Sequence, residues 1–460
     1  MNDKLYKVLI FTLIIVAGAM ALMLIPAFDV FGFEFRKADM LADIRVETDP
    51  TPALDMEDSP EEEADSEDVE AVIPAIEPDT CKEGIVCIND YSVQHNALSH
   101  FYEALAENNR PVRIAYFGDS FIEGDLLTCS LRDLFHEQYG GKGVGFVPIH
   151  TVTSGFRITV SSYAGGWSEH CITDSLFFRS KQGISGHYFI PHAGATATFA
   201  CRSSDGRKAD TCSVASFYFI TDGNLKFTTT VNKKIREQYT IQGSPDIQQI
   251  TVEGEIANIR ITVDDPGTNT RFFGVSMDEK QSGVIVDNFS VRGTSGVALK
   301  SIPAKTICDF DSLLHYDLVI LQYGLNVATT NGKKYDTYKK SMSEVLAYLR
   351  ANFAKADFLL VGVGDRAMKS DGGMVTMPGV MNLSAVQQSV AAENEIAFWS
   401  LIDAMSLDGG IAGYVKSKPS KANLDYTHIN VRGGETIAGH LFEAFEYGKE
   451  KYMERKNRHE

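Results

Sequence analysis

The stretch Arg113-Ile-Ala-Tyr-Phe-Gly-Asp-Ser-Phe-Ile-Glu-Gly-Asp125 constrains the fold more than any other part of the chain. A short apolar run ends in Gly118-Asp119-Ser120, and a helical pattern, Ile122–Tyr139, follows at once. A strand that hands a serine to a tight glycine turn before a helix is a unit of an open α/β sheet. Such sheets carry their functional loops at the strand carboxyl ends. The first N–H groups of a following helix, and its dipole, favour a developing oxyanion there. A serine in this position is a useful nucleophile only if another part of the chain supplies a base.

Leu424-Asp-Tyr-Thr-His-Ile-Asn430, near the C-terminus, supplies one. Asp425 is placed to hold the His428 imidazole in one tautomer, and His428 then takes the Ser120 proton. Val319-Ile-Leu-Gln-Tyr-Gly-Leu-Asn326 is a second apolar strand, ending in Gly324-x-Asn326. An asparagine amide at a strand end is a suitable oxyanion donor.

Between these segments the pattern changes twice. Val112–Phe117 reads as a strand, and Gly140-Gly-Lys-Gly-Val-Gly145 as a loop closing the helix. That glycine run follows a helix and lacks a Gly-Lys-Ser/Thr ending, so it is no phosphate loop. Residues 160–285 hold short alternating runs separated by turn residues, the pattern of an antiparallel sandwich. After Gly296 strands (317–323, 357–363, 396–402) alternate again with helices (335–352, 384–394, 433–447), which predicts a parallel sheet. Tyr163 and Trp167, at the entry to the insertion, read as packing residues, with stacking on a sugar as the other reading.

Ser120 in Gly-Asp-Ser, Asn326 in Gly-x-Asn, and Asp425 with His428 in Asp-x-x-His, in this order, resemble the SGNH (GDSL-type) hydrolase superfamily. The resemblance implies a three-layer, flavodoxin-like α/β fold and a Ser120–His428–Asp425 triad. It also implies an oxyanion hole made by the Ser120 and Gly293 N–H groups and the Asn326 amide, with Gly296 the other glycine for that role. Many members carry an acidic residue after the asparagine, where this chain has Val327. The inserted sandwich, Gly124-Asp125, Leu131-Arg132 and Gly143-Val-Gly-Phe-Val147 are similar to the bacterial peptidoglycan O-acetylesterase branch. That branch implies a carbohydrate-binding-module-like insertion, an O-acetylated envelope glycan as substrate, and no metal or organic cofactor. The triad does not separate hydrolysis from acetyl transfer to a sugar hydroxyl, and an inactive glycan-binding surface protein is the reading of a different class.

Composition places this body outside the cytoplasm. Val8–Ile25 is uncharged and apolar behind Lys4 and Lys7, so residues 1–28 read as a transmembrane anchor with a cytoplasmic N-terminus, or else a signal peptide. The formal net charge is −18, and twelve Asp or Glu with no Lys or Arg fall within residues 47–70. Residues 29–79 therefore read as an acidic disordered tether. The expected hydrolase domain comprises residues 80–159 and 286–460, with the insertion at 160–285. Nothing forms a basic footprint for nucleic acid. Of the 7 cysteines, Cys81 with Cys87 and Cys201 with Cys212 are close in sequence.

Overall fold

The computed structural model describes residues 28–30, 33–35, 81–202, 211–370 and 372–459. The chain divides into a unit of residues 1–57 and a unit of residues 58–460. In the first, strands Phe28–Val30 and Phe33–Phe35 pair antiparallel. This corrects the expected anchor at 1–28. Phe28 opens a strand, because Phe28-Asp29-Val30 and Phe33-Glu34-Phe35 alternate with the period of a strand. No helix among the described residues is long and apolar enough to cross a membrane. The apolar run 8–25 and the acidic stretch 47–70 lie outside the described residues.

The second unit holds a six-stranded sheet in the order Gly283–Ser290, Pro111–Gly118, Tyr316–Gln322, Asp357–Val361, Ala397–Trp399, Asn89–Asp90. The first five strands run parallel and the short edge strand antiparallel, so the sheet is mixed. Its inner strands are apolar on both faces, as a sheet covered by helices on both sides requires. One helix layer joins Ser99–Glu107, Thr128–Tyr139 and the long Val431–His459; the other joins Ala304–Leu314, Asp336–Asn352 and Pro378–Glu393.

The larger sheet is the antiparallel one, where an inserted antiparallel sandwich is expected at 160–285. Nine strands form one continuous sheet, which curls over its own core. Phe219 and Phe227 lie on strands separated by three others in the sheet order, yet their ring centroids are 5.7 Å apart. Trp167 is part of this packing, edge-on to Phe272 at 5.3 Å, whereas Tyr163 is exposed. The sheet also takes in Gly143–Val147, which was expected to begin in a loop and lies before the expected insertion. The glycines explain this. Gly143 has φ +89, and a Cβ there would stand 2.0 Å from the Met277 carbonyl oxygen. At Gly145, φ +70, it would stand 2.6 Å from Asp287 Oδ1. The run is rich in glycine because backbone approaches backbone on both sides.

Insertion and α/β body share a core. Phe146, Tyr218 and Phe273 all pack on Phe310 of the helix Ala304–Leu314, with centroids 6.1, 5.6 and 5.5 Å away. Gly143→Ala is expected to cost about 2 kcal/mol or more, from left-handed strain plus the backbone clash. Gly84→Ala, also at positive φ but with nothing within 4 Å, is expected to cost about 1 kcal/mol. Denaturant unfolding of the two variants measures the difference.

Candidate active site

Strand register assembles the site. Ser290, Gly118 and Gln322 are direct partners across three adjacent parallel strands. The three loops that follow them carry Gly293, Ser120 and Asn326, so all three residues emerge along one carboxyl edge. Val291 N–H donates to the Gly118 carbonyl at 3.0 Å and fixes the Gly293 loop beside the serine turn.

His428 reaches the same edge on a loop closed by a bridge between Ala422 and Ile429 and by Asn423 N–H donating to the His428 carbonyl. The Ala367 N–H, beyond the neighbouring strand Asp357–Val361, donates to the Tyr426 carbonyl and ties the loop to the sheet. His428 Nε2 lies 3.4 Å from Ser120 Oγ, and its Nδ1 lies 2.8 Å from Asp425 Oδ2. The other Asp425 oxygen accepts the backbone N–H groups of Thr427 and His428 at 2.9 and 3.0 Å. Partial burial alone would raise the Asp425 carboxyl, but these donors outweigh it and hold the pKa at about 2. A carboxylate that is ionised at neutral pH on Nδ1 leaves Nε2 to face the serine hydroxyl, the arrangement that proton abstraction needs.

Asn326 lies across the serine turn. Its Nδ2 donates to Asp119 Oδ2 at 3.2 Å and to the Thr294 carbonyl at 3.0 Å. Asp119 also accepts the Phe121 N–H at 2.9 Å. Burial dominates its carboxyl and pushes the pKa up to about 6, against the pull of the Phe121 N–H and of His428. Sequence reading assigns Asp119 no catalytic role, and the structure shows it orienting Asn326. Gly293 is exposed at φ +77, and a Cβ there would meet nothing within 4 Å, whereas Gly296 is packed against the Tyr323 ring. Arg292 donates two hydrogen bonds to Glu123 Oε2, at 3.0 and 2.7 Å, and so links the Gly293 loop to the turn after Ser120.

The expected helix from Ile122 is corrected. A 3₁₀ turn, Glu123–Asp125, follows the serine, and the α-helix begins at Thr128. Gly124 and Asp125 both have positive φ, 64° and 67°, which breaks a helix at that point. Asp125 is held in that conformation by its buried carboxylate. Arg157 Nε donates to it at 2.9 Å, Thr128 Oγ1 at 2.7 Å, and Arg132 at 3.4 Å, with the Thr159 hydroxyl as a further donor. Burial would push this carboxyl up; the two guanidiniums and two hydroxyls hold it well below the usual carboxylate range. Arg157 and Thr159 carry no motif, and only the turn they support marks them.

No protein-family model matches the chain, and no curated protein matches it. Among solved structures, a peptidoglycan O-acetylesterase overlays 79% of this chain and 99% of its own, with 18% identity and a TM-score of 0.65. That overlap establishes a shared fold, insertion included. A family two carbohydrate esterase from Cellvibrio japonicus covers 64% of this chain and 98% of its own at 9% identity and a TM-score of 0.27. A lipase/acylhydrolase from Enterococcus faecalis covers 35% and 75% at 16% identity and a TM-score of 0.25. Neither of these two superposes closely enough to bear on the architecture.

Removing one partner of a buried charge cluster strands the others, so Asp125→Ala is expected to cost about 3–5 kcal/mol in urea unfolding. Asp425 has a lowered folded pKa, so its stabilising contribution is present above the ordinary carboxylate pKa and is lost as pH falls towards about 2. The stability gap between wild type and Asp425→Asn is therefore expected to be full at pH 6 and to close between about pH 4 and pH 2. Denaturation curves across that range measure it.

Proposed function

We propose that this chain is a serine esterase that removes O-acetyl groups from a cell-envelope glycan of the peptidoglycan class. The observation that carries the reading is the continuous Asp425–His428–Ser120 relay at the carboxyl edge, with Asn326 and the Gly293 loop on the neighbouring strand ends. The fold shared with a peptidoglycan O-acetylesterase supports the choice of substrate. The Cys81–Cys87 disulfide supports work outside the reducing cytoplasm, where such a polymer is found.

In the first half-reaction His428 Nε2 takes the Ser120 proton as Oγ attacks the acetyl carbonyl carbon. Asp425 keeps the ring oriented and stabilises the imidazolium. The carbonyl oxygen becomes an oxyanion held by the N–H groups of Ser120 and Gly293 and by the Asn326 amide. Asn326 gives up its bond to the Thr294 carbonyl to face that oxyanion, while Asp119 keeps the other amide proton and the orientation. The tetrahedral centre collapses, and the sugar oxygen leaves with the proton from His428. Water, deprotonated by the same imidazole, then attacks the acetyl-Ser120 ester and releases acetate.

Purified protein should release acetate from O-acetylated peptidoglycan. Ser120→Ala should abolish the release, and Asn326→Ala should lower kcat by about 10²–10³. Both variants are expected to keep the wild-type melting temperature within a few degrees. Acetate release by Ser120→Ala at a rate near wild type would overturn the assignment. Adding an acceptor glycan distinguishes hydrolysis from transfer, because transfer lowers free acetate per ester consumed.

A further inference from the structure

A second nucleophile stands in the insertion, apart from the Ser120 relay. The strands Val160–Cys171 and His187–Cys201 pair antiparallel, and Cys171 and His187 are direct partners across them. Direct cross-strand partners share a face of the sheet, and here the imidazole hydrogen-bonds the thiol. The Ser185 carbonyl lies 2.9 Å from His187 Nδ1. A carbonyl can only accept, so Nδ1 carries a proton and Nε2 is left for the sulfur. The Thr173 hydroxyl also donates to Cys171 Sγ, at 3.2 Å.

This is a nucleophile with a base, and a third group orients the base. His187 is buried while Cys171 is only half-buried, so reagents can reach the sulfur and its partner stays fixed. Around the pair stand Glu169, His150 and Asp174, whose carboxylate accepts the Cys171 N–H at 2.7 Å. Burial alone would raise the thiol pKa, but the hydrogen bond and charge of His187, with Thr173, outweigh it and lower the value. Burial likewise opposes charge on His187, yet Cys171, the Ser185 carbonyl and Glu169 overcome it and raise the imidazole. A half-buried thiol beside an imidazole that favours its own charge carries the marks of a reactive cysteine, whereas structural thiols are buried and inert.

We infer that Cys171 is a modification site, a reactive thiol that His187 holds ready for exchange with low-molecular-weight disulfides. The Cys171 thiolate attacks one sulfur of the disulfide RS–SR. The new Sγ–S bond forms as the S–S bond breaks, and the departing RS⁻ takes the His187 proton and leaves as RSH. The Cys171 sulfur is oxidised, the released sulfur is reduced, and attack by a second thiol reverses the exchange. The adduct forms one residue from Ile172. Ile172 and Val291 both pack on Gly186, and Val291 lies two residues before Gly293, so the modified sulfur stands beside the contact between insertion and oxyanion loop. The inference is independent of the esterase reading.

The test follows the reaction of the full chain with dithiodipyridine, an uncharged disulfide, by the absorbance of the thione released, and locates the label by peptide mass. The pH profile is the diagnostic readout, because nucleophilicity falls as a thiol's pKa falls and speed alone misleads. The rate at Cys171 is expected to change by less than about threefold between pH 6 and pH 8. An ordinary exposed thiol gains roughly 75-fold over that range, from its rising thiolate fraction. Cys308, which is exposed, provides that comparison within the same chain. Cys171→Ser is expected to remove the flat phase, and His187→Gln to make the Cys171 profile as steep as that of Cys308. Peptide mapping of wild type decides the matter even if the His187 variant does not fold. A Cys171 profile as steep as that of Cys308, a Cys171 left unlabelled while Cys308 reacts, or a flat phase that survives Cys171→Ser overturns the site.

Discussion

Buried Asp125 is the interaction on which the placement of Ser120 depends. Its carboxylate is almost wholly removed from water, so it is tolerable only because Arg132, Arg157, Thr128 and Thr159 satisfy it. These partners come from two parts of the fold, Thr128 and Arg132 from the helix Thr128–Tyr139 and Arg157 and Thr159 from the segment before the strand Val160–Cys171. Arg132 also donates to the Val286 carbonyl, on the strand that leads to Gly293. Arg157 also donates to the Val144 and Phe146 carbonyls, on the strand shared with the antiparallel sheet. One charge therefore sets the turn after the nucleophile, the strand before the oxyanion loop and the first strand of the larger sheet in fixed relation.

A second buried cluster repeats the design deeper in the sheet. Arg113, on the serine strand, donates to Asp278, on the last strand of the insertion, and stands 3.6 Å from Asp287. Asp287 accepts from the Tyr316 hydroxyl at 2.8 Å and from the Phe146 N–H at 2.7 Å. Insertion and body are thus joined through charges that neither part could bury alone. The insertion packs against the α/β body and meets the Gly293 loop where Gly186 lies against Val291.

The strand-end motifs are easier to read in the sequence than the scaffold that carries them. Gly118-Asp-Ser120 and Asn326 are legible because each motif is local and sits where a strand ends, and Asp425 with His428 because the pair is local to the loop between the helices Gly410–Lys416 and Val431–His459. Asp119 is legible as a residue but not as a role, since its contact with Asn326 depends on strand neighbours far apart in sequence. The helix expected from Ile122 fails at Asp125, where a buried ion pair outweighs the αR preference of a non-glycine residue. Gly143 and Gly145 read as a loop because glycine signals freedom locally, whereas here it signals the close approach of Met277 and Asp287. The anchor expected at 1–28 extends into a segment whose period-two alternation at Phe28–Phe35 belongs to a strand. In each case the missing information is a contact supplied from elsewhere in the chain.

On the reading proposed above, solvent exposure of the relay bears on the kind of substrate. His428 and Asp425 side chains are 44% and 46% exposed, so in the free protein their mutual attraction is screened by water. Ser120 Oγ and His428 Nε2, at 3.4 Å, are likewise farther apart than a strong hydrogen bond requires. Catalytic hydrogen bonds of this kind tighten when substrate excludes water. A small ester covers little of an open edge formed by three strand-end loops and the 422–429 loop. A glycan chain lying along that edge covers much more, lowers the local dielectric around the imidazole and strengthens the Asp425 interaction at the moment the imidazolium forms. On the proposed reading, an open relay is suited to a polymer because the polymer itself completes the water-excluding wall.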